Sequence, residues 1–300
     1  MTPNNNYSIL PFYKSLNEQS PKNFYAYGRA FNLATPNDML PTFQINREHR
    51  SNLITSVILV DYITGQQVNI TGNAISYGGL EIKYLNDYDI DVIICRGWYL
   101  GLNNPNGQYY LIISDGIETW YSDIFNWCNA SKMVCLEWFD GDSFYFEDDQ
   151  IMFYDGNFSN RLYLCADIRR PEYEFTDEAE TLDGYFYPIK QIAEKIFRFV
   201  FGAPEYLCDC LRLVRLSDNV YIHDREFSRT YRSDEILITP SWGTVADIAN
   251  IEVEFHCQAI AKKINSTASP LPPPVIPDPP TPGEKGDFNN DFNNDFFVEN

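Results

Sequence analysis

Between residues 51 and 265 the chain keeps returning to one pattern, a run of β-branched, aromatic and aliphatic residues closed by a turn former. Runs of roughly four to eight such residues are what a half-buried or fully buried strand requires. Residues 53–60 (LITSVILV) suit a buried strand, and 61–65 (DYITG) follow as a turn. Residues 68–71 and 80–84 read as further strands, separated by Gly78-Gly79. Residues 91–95 and 108–114 flank the loop 101–107 (GLNNPNG), which is built from strong turn formers. Asp115-Gly116 marks a tight hairpin into a strand over 118–125.

A second block of the same kind starts near residue 132. Residues 133–139 are a strand, 140–142 (DGD) a turn and 143–147 another short strand. Residues 161–166 and 172–176 continue the pattern, and 190–201 (KQIAEKIFRFVF) alternates toward its end as a long strand. Further strands are expected at 219–222, 236–239 and 248–256. One segment departs from the pattern. In 203–218 a proline and a glutamate come early, Arg212 and Arg215 come late, and Leu207, Leu211 and Val214 fall at helical spacing. These are the start, stop and face signals of an amphipathic helix over 204–217, with Leu207, Leu211 and Val214 turned toward a sheet.

The expected fold is therefore mainly β. It has two β-sandwich-like domains, the second with one packed amphipathic helix, plus extended N- and C-terminal arms. The expected division is an arm over 1–50, a sandwich over 51–131, a second β domain over 132–265 and a linker with a tail over 266–300. Aromatic residues make up 16% of the 300 residues, which favours β structure and protein interfaces. The net charge of −20 repels phosphate, so nucleic acid is not an expected partner. Apolar runs fall short of the ~20 residues a membrane helix needs, and the first residues lack a basic start and apolar core. Synthesis in a cytoplasm is the expectation.

No constellation for catalysis stands out. The three histidines, His49, His223 and His256, form no metal spacing, and His256 reads as a satisfied core residue. The seven cysteines include Cys208-Asp-Cys210, too short for a redox or zinc pair; buried reduced thiols are expected. Phosphate-loop and nucleophile-elbow motifs are missing. The carboxylates at 140–142 and 147–149 lack calcium-loop alternation, and a glycosidase pair cannot be told from so many acids. No enzyme activity, metal or cofactor is expected. Residues 177–188 (DEAETLDGYFYP) read as an acidic loop, either a contact for basic groups on a neighbour or a loop without fixed structure.

After residue 264 the sequence changes character. Residues 269–282 (SPLPPPVIPDPPTP) suit a polyproline spacer. Beyond it Phe288, Phe292 and Phe296 recur every fourth residue in an Asn/Asp background, with Phe297 adjoining. Such a segment cannot bury enough surface to fold alone. Docked as a helix on a partner, it would align the three spaced rings on one face. These four Phe are the expected docking residues.

Several stretches resemble a family of virion proteins from crAss-like and related tailed bacteriophages: 110–125 (YLIISDGIETWYSDIF), 134–139 (VCLEWF), 160–173 (NRLYLCADIRRPEY), 183–189 (DGYFYPI) and 203–218. The resemblance spans roughly residues 45–264 and implies a virion location, in a tail or neck. It implies a tail hub or ring component that forms a cyclic homo-oligomer and meets other tail, ring or portal-proximal proteins. The rival reading is a carbohydrate- or receptor-binding β module, in which Trp98, Trp120 and Tyr121 would stack on sugars.

Overall fold

The alternation expected of a half-buried strand is plainest at Gly107–Ser114, where Tyr109, Leu111 and Ile113 are buried and their neighbours are not. The computed structural model describes residues 7–16, 33–102, 106–146, 150–154, 158–182, 185–243 and 248–264. In chain order the first elements are β1 (Phe12–Tyr13), β2 (Leu33–Pro36), β3 (Phe43–Glu48), β4 (Ser56–Asp61), β5 (Gln67–Asn69) and helix α1 (Thr71–Ser76). Next come β6 (Leu80–Leu85), β7 (Ile90–Cys95), β8 (Gly107–Ser114), β9 (Thr119–Ser122) and β10 (Phe125–Cys128). A 3-10 turn leads to β11 (Val134–Phe139), β12 (Phe144–Tyr145), β13 (Ile151–Met152), β14 (Asn160–Leu164), β15 (Glu172–Leu182) and β16 (Tyr185–Pro204). Helix α2 (Glu205–Leu211) runs into a second 3-10 turn, Arg212–Leu216, before β17 (Asn219–Asp224), β18 (Arg229–Trp242) and β19 (Ile248–Ile264).

The protein is mainly β. One mixed sheet of 14 strands runs in the order β1-β9-β8-β10-β2-β14-β11-β17-β18-β19-β16-β15, with β4 and β5 attached beside β8. A three-stranded sheet, β3-β7-β6, packs against it. Both faces of β7 are buried. Ile93 and Cys95 enter the main core, while Val92 and Ile94 join a second cluster with Met152, Tyr154, Phe158 and Leu213. This explains why β7 reads as a continuous apolar run. The β8–β9 hairpin turns at Asp115-Gly116 as expected. Gly116 takes a φ of 86°, and Asp115 Oδ1 accepts from the N–H groups of Ile117 and Glu118.

Four expectations need correction. The boundary at 131/132 does not divide the sheet. β2 pairs with β10 from the first block and with β14 from the second, and one buried cluster draws on both. The expected N-terminal arm over 1–50 contains β1, β2 and β3, all substantially buried. Polar residues at buried positions conceal β3. Gln44 is wholly buried because its side chain donates to the carbonyl of Phe153 (2.6 Å) and accepts from its N–H (2.9 Å), as a strand would. The strand expected at 68–71 stops at Asn69, whose side chain accepts from the Thr71 N–H (3.0 Å) and turns the chain into α1. The acidic loop over 177–188 is not a loop. Its backbone forms the end of the β15–β16 hairpin, with Leu182 opposite Tyr185.

The helix expected over 204–217 is α-helical only to Leu211 and then tightens to 3-10 geometry. Leu207, Leu211 and Val214 are all buried in the main core. A helix of seven residues is too short to hold itself together, so its packing on the sheet is what keeps it.

Candidate functional site

The most extended feature of the molecule is an antiparallel ribbon of four long strands, β18-β19-β16-β15. β16 alone has 20 residues, on the order of 65 Å of strand. The period of two sorts its side chains. Phe197, Phe199 and Phe201 on β16, with Ile251, Val253 and Phe255 on β19, point into the core. The opposite face is charged. Arg198 donates to Glu254 (2.6 Å) and Glu172 (3.0 Å), and His256 bonds Glu194 (3.2 Å). Partial burial opposes a charged His256 ring, yet its bonds to Glu194 and Glu254 prevail and raise its pKa. His256 is thus satisfied by carboxylates on the ribbon surface and not within the apolar core.

Both margins of the ribbon are open among the described residues. β15 is the last strand of the sheet and pairs only with β16. β18 pairs with β17 only from Arg229 to Ser233, so Glu235–Trp242 has β19 on one side and no ladder partner on the other. Unpaired N–H and C=O rows of this length are a template for another strand. β15 carries Glu172, Glu174, Asp177, Glu178 and Glu180 and no basic residue, and its Tyr173 and Phe175 are 57% and 73% exposed. The notch beside open β18 holds Arg215 and Arg232 together with Asp218, Glu235 and Glu254. The two open segments are staggered. β15 lies level with the Tyr185–Ile196 half of β16, and open β18 is level with the half that follows.

A separate groove of about 290 Å³ opens between the β6–β7 turn and β12–β13. Tyr84, Tyr88 and Tyr145 line it, with Asp87 and Ser143 among its polar groups. Tyr88 and Tyr145 stack with ring centroids 5.2 Å apart. Of the aromatics expected to meet sugars, Trp120 is fully buried, Tyr121 is half-buried in β9, and Trp98 is exposed beneath the Arg96 guanidinium. Burial removes Trp120 from any surface. The docking residues Phe288, Phe292, Phe296 and Phe297 lie outside the described residues.

None of the seven cysteines is joined in a disulfide; Cys95, Cys135 and Cys210 are buried, whereas Cys165 is exposed. Among the described residues no group of His, Cys, Asp and Glu is arranged to hold a metal. No helix there is long and apolar enough to cross a membrane. Glu137, on β11, collects hydrogen bonds from His223, Ser159 and Arg161. Burial by itself would raise its pKa, but these donors hold the carboxyl down at about 2. Glu137 is thus a satisfied carboxylate, held far below the near-neutral pKa of a general base.

One titratable group works against the fold. Asp123, after β9, is buried where Pro11 of the N-terminal segment accepts from its backbone N–H. Burial raises its carboxyl to about 7, only partly offset by the hydrogen bond from the Ile124 N–H. Below an unfolded-state pKa near ~3.9 both states are protonated and nothing is lost. Between that value and about 7 the folded state holds the extra proton, so stability falls as pH rises, and above about 7 the full penalty applies. We expect Asp123→Asn to match the wild type near pH 4 and to exceed it at pH 8 by about 1–4 kcal/mol. Urea unfolding at both pH values checks this. An Asn variant no more stable at pH 8 would show that the carboxylate is solvated.

No family model matches the chain, and no curated protein or solved structure matches it.

Proposed function

We propose that this chain is a non-enzymatic structural subunit of a bacteriophage tail or neck, and that copies of it join edge to edge into a ring. The observation that carries the reading is the pair of open margins on one ribbon. Four antiparallel strands leave β15 and β18 running in opposite directions. A second copy in the same orientation therefore offers its β15 antiparallel to this copy's β18, and the ladder continues. Such a head-to-tail contact is heterologous and closes into a ring when the rotation permits. The stagger of the two open segments supports closure, because a sheet that closes on itself needs tilted strands and a stepped register. Arg232, exposed beside the start of open β18, offers a counter-charge to the carboxylates on β15.

The phage assignment rests on the sequence resemblance, whose stretches fall on β8–β9, β11, β14, the start of β16 and α2. On this reading the protein resides in the virion and meets other tail, ring or portal-proximal proteins. Native mass spectrometry of the full chain should give a cyclic oligomer. Glu174→Lys combined with Glu178→Lys should reduce it to monomers with an unchanged melting temperature. A wild-type chain that stays monomeric at high micromolar concentration overturns the ring.

A second reading, a glycan-binding module, is favoured by the tyrosine-lined groove at Tyr84, Tyr88 and Tyr145. Exposed aromatic faces beside a carboxylate and a hydroxyl suit a sugar. The same oligomer measurement separates the two, since a sugar module needs no edge closure.

A further inference from the structure

We infer that the apolar cleft between α2, its 3-10 extension and strands β18 and β19 is the docking site for this chain's own C-terminal Phe repeat. The cleft has a volume of about 350 Å³, within the range of ligand pockets. Leu211, Leu216, Ile238 and Ile251 form its floor, and Arg212 and Arg215 stand at its rim. Leu216 is 63% exposed, an apolar side chain that a ligand would cover. The Arg212 guanidinium pairs with Asp209 of its own helical turn (2.9 Å) yet remains mostly in solvent.

The repeat matches this cleft in chemistry. Phe288, Phe292 and Phe296 each follow an aspartate, Asp287, Asp291 and Asp295, and after Lys285 the segment has no basic residue. An occupant that puts a ring on an apolar floor needs a cation beside each neighbouring carboxylate, and the two arginines supply it. On a molecule of net charge −20, most of the surface repels such a segment.

Reach permits the contact. β19 delivers the chain to Ile264, and Ile251 on the cleft floor lies further back on the same strand, on the order of 45 Å away at strand rise. The linker from residue 265 to 287, if extended at ~3.1 Å per residue, covers on the order of 70 Å. That suffices to return to the same copy's cleft or to enter a neighbour's. Tethering raises the local concentration of the repeat, so one or two rings in the cleft suffice for occupancy.

The test uses the full chain with a photo-reactive benzoylphenylalanine in place of Phe292. Irradiation followed by peptide mapping should place the crosslink within residues 205–216 or 236–254. Arg212→Glu with Arg215→Glu should lower the crosslink yield by about tenfold while leaving the melting temperature of the body unchanged. Mixing isotopically heavy and light chains reports whether the cleft belongs to the same copy or another, and either result supports the assignment. Crosslinks mapping elsewhere, an absence of crosslinks in folded protein, or an undiminished yield in the double variant overturns it. None of these readouts depends on ring formation, so a monomeric chain that still crosslinks at the cleft would refute the ring and leave this site standing.

Discussion

Replacing Arg47 with methionine should destabilise the protein by about 3–5 kcal/mol at pH 7. Arg47 sits on β3 with its side chain 1% exposed. Its Nε and Nη2 donate to Asp91 on β7 (3.1 and 2.9 Å), and Nη1 donates to Asp115 in the β8–β9 turn. Nη2 also reaches the carbonyl of Asn52 (2.6 Å). One guanidinium thus joins the small sheet to the large one. Two carboxylates are buried against it, and both have lowered pKa values: burial raises them, but hydrogen bonds, including those from Arg47, outweigh it. Without Arg47 the two carboxylates lose the one fully buried cation they share, and Arg50 and His49, both more exposed, remain beside them.

The pH dependence identifies the cause. In the wild type, depressed carboxyl pKa values contribute stability above the unfolded value near ~3.9, and it is lost as pH falls through the lower folded values. In the variant part of that depression is lost while the donors from His49 and the Arg50 N–H to Asp91, and from the Glu118 and Ile117 N–H groups to Asp115, remain, so the deficit shrinks toward pH 4 as the carboxylates are protonated. Adding Asp91→Asn and Asp115→Asn should recover much of the loss, since neutral groups need no counter-charge. Chemical denaturation of the three proteins measures this. A loss below about 1 kcal/mol for the single variant would mean that water reaches the cluster.

The second large effect is expected at Leu211. Leu211→Ala should cost about 2–5 kcal/mol by removing buried methyl groups and leaving a cavity. The site is 1% exposed and shares the main core with Leu207 and Val214. Because α2 has too few turns to persist alone, lost packing is not made up by helix propensity. Protection of the 205–216 amides against hydrogen exchange should fall with it. A change under about half a kilocalorie, the range of surface substitutions, would refute the packing of α2 described above.

The strands β4, β6 to β9 and β11 follow closely from their runs of β-branched and aromatic residues, because burial on one or both faces writes itself into composition. Strand β3 was hidden, since Gln44 and Arg47 occupy buried positions and the partners that make this tolerable, Phe153, Asp91 and Asp115, lie tens of residues away. The hairpin over 177–188 was hidden for a different reason. Acidic residues on an edge strand look like a loop until β16 is known to run beside it. For the functional surface, the Phe repeat and the helical spacing of Leu207, Leu211 and Val214 were legible as local patterns. The open margin of β18 was not, because it exists only where β17 ends while β18 continues.

Local chemistry alone therefore determined the β character, the turn at Asp115-Gly116, the helical segment after Pro204 with its buried face, and the acidic, aromatic nature of the chain. These depend on side-chain size, polarity and period within a few residues of one another. Only the tertiary structure decided that both sequence blocks share one sheet, that Arg47 bridges two layers, and that two staggered strand margins stay unpaired. Each of these depends on which distant strands meet and where their pairing stops. A strand's own residues specify its faces, while its edges are specified by its neighbours.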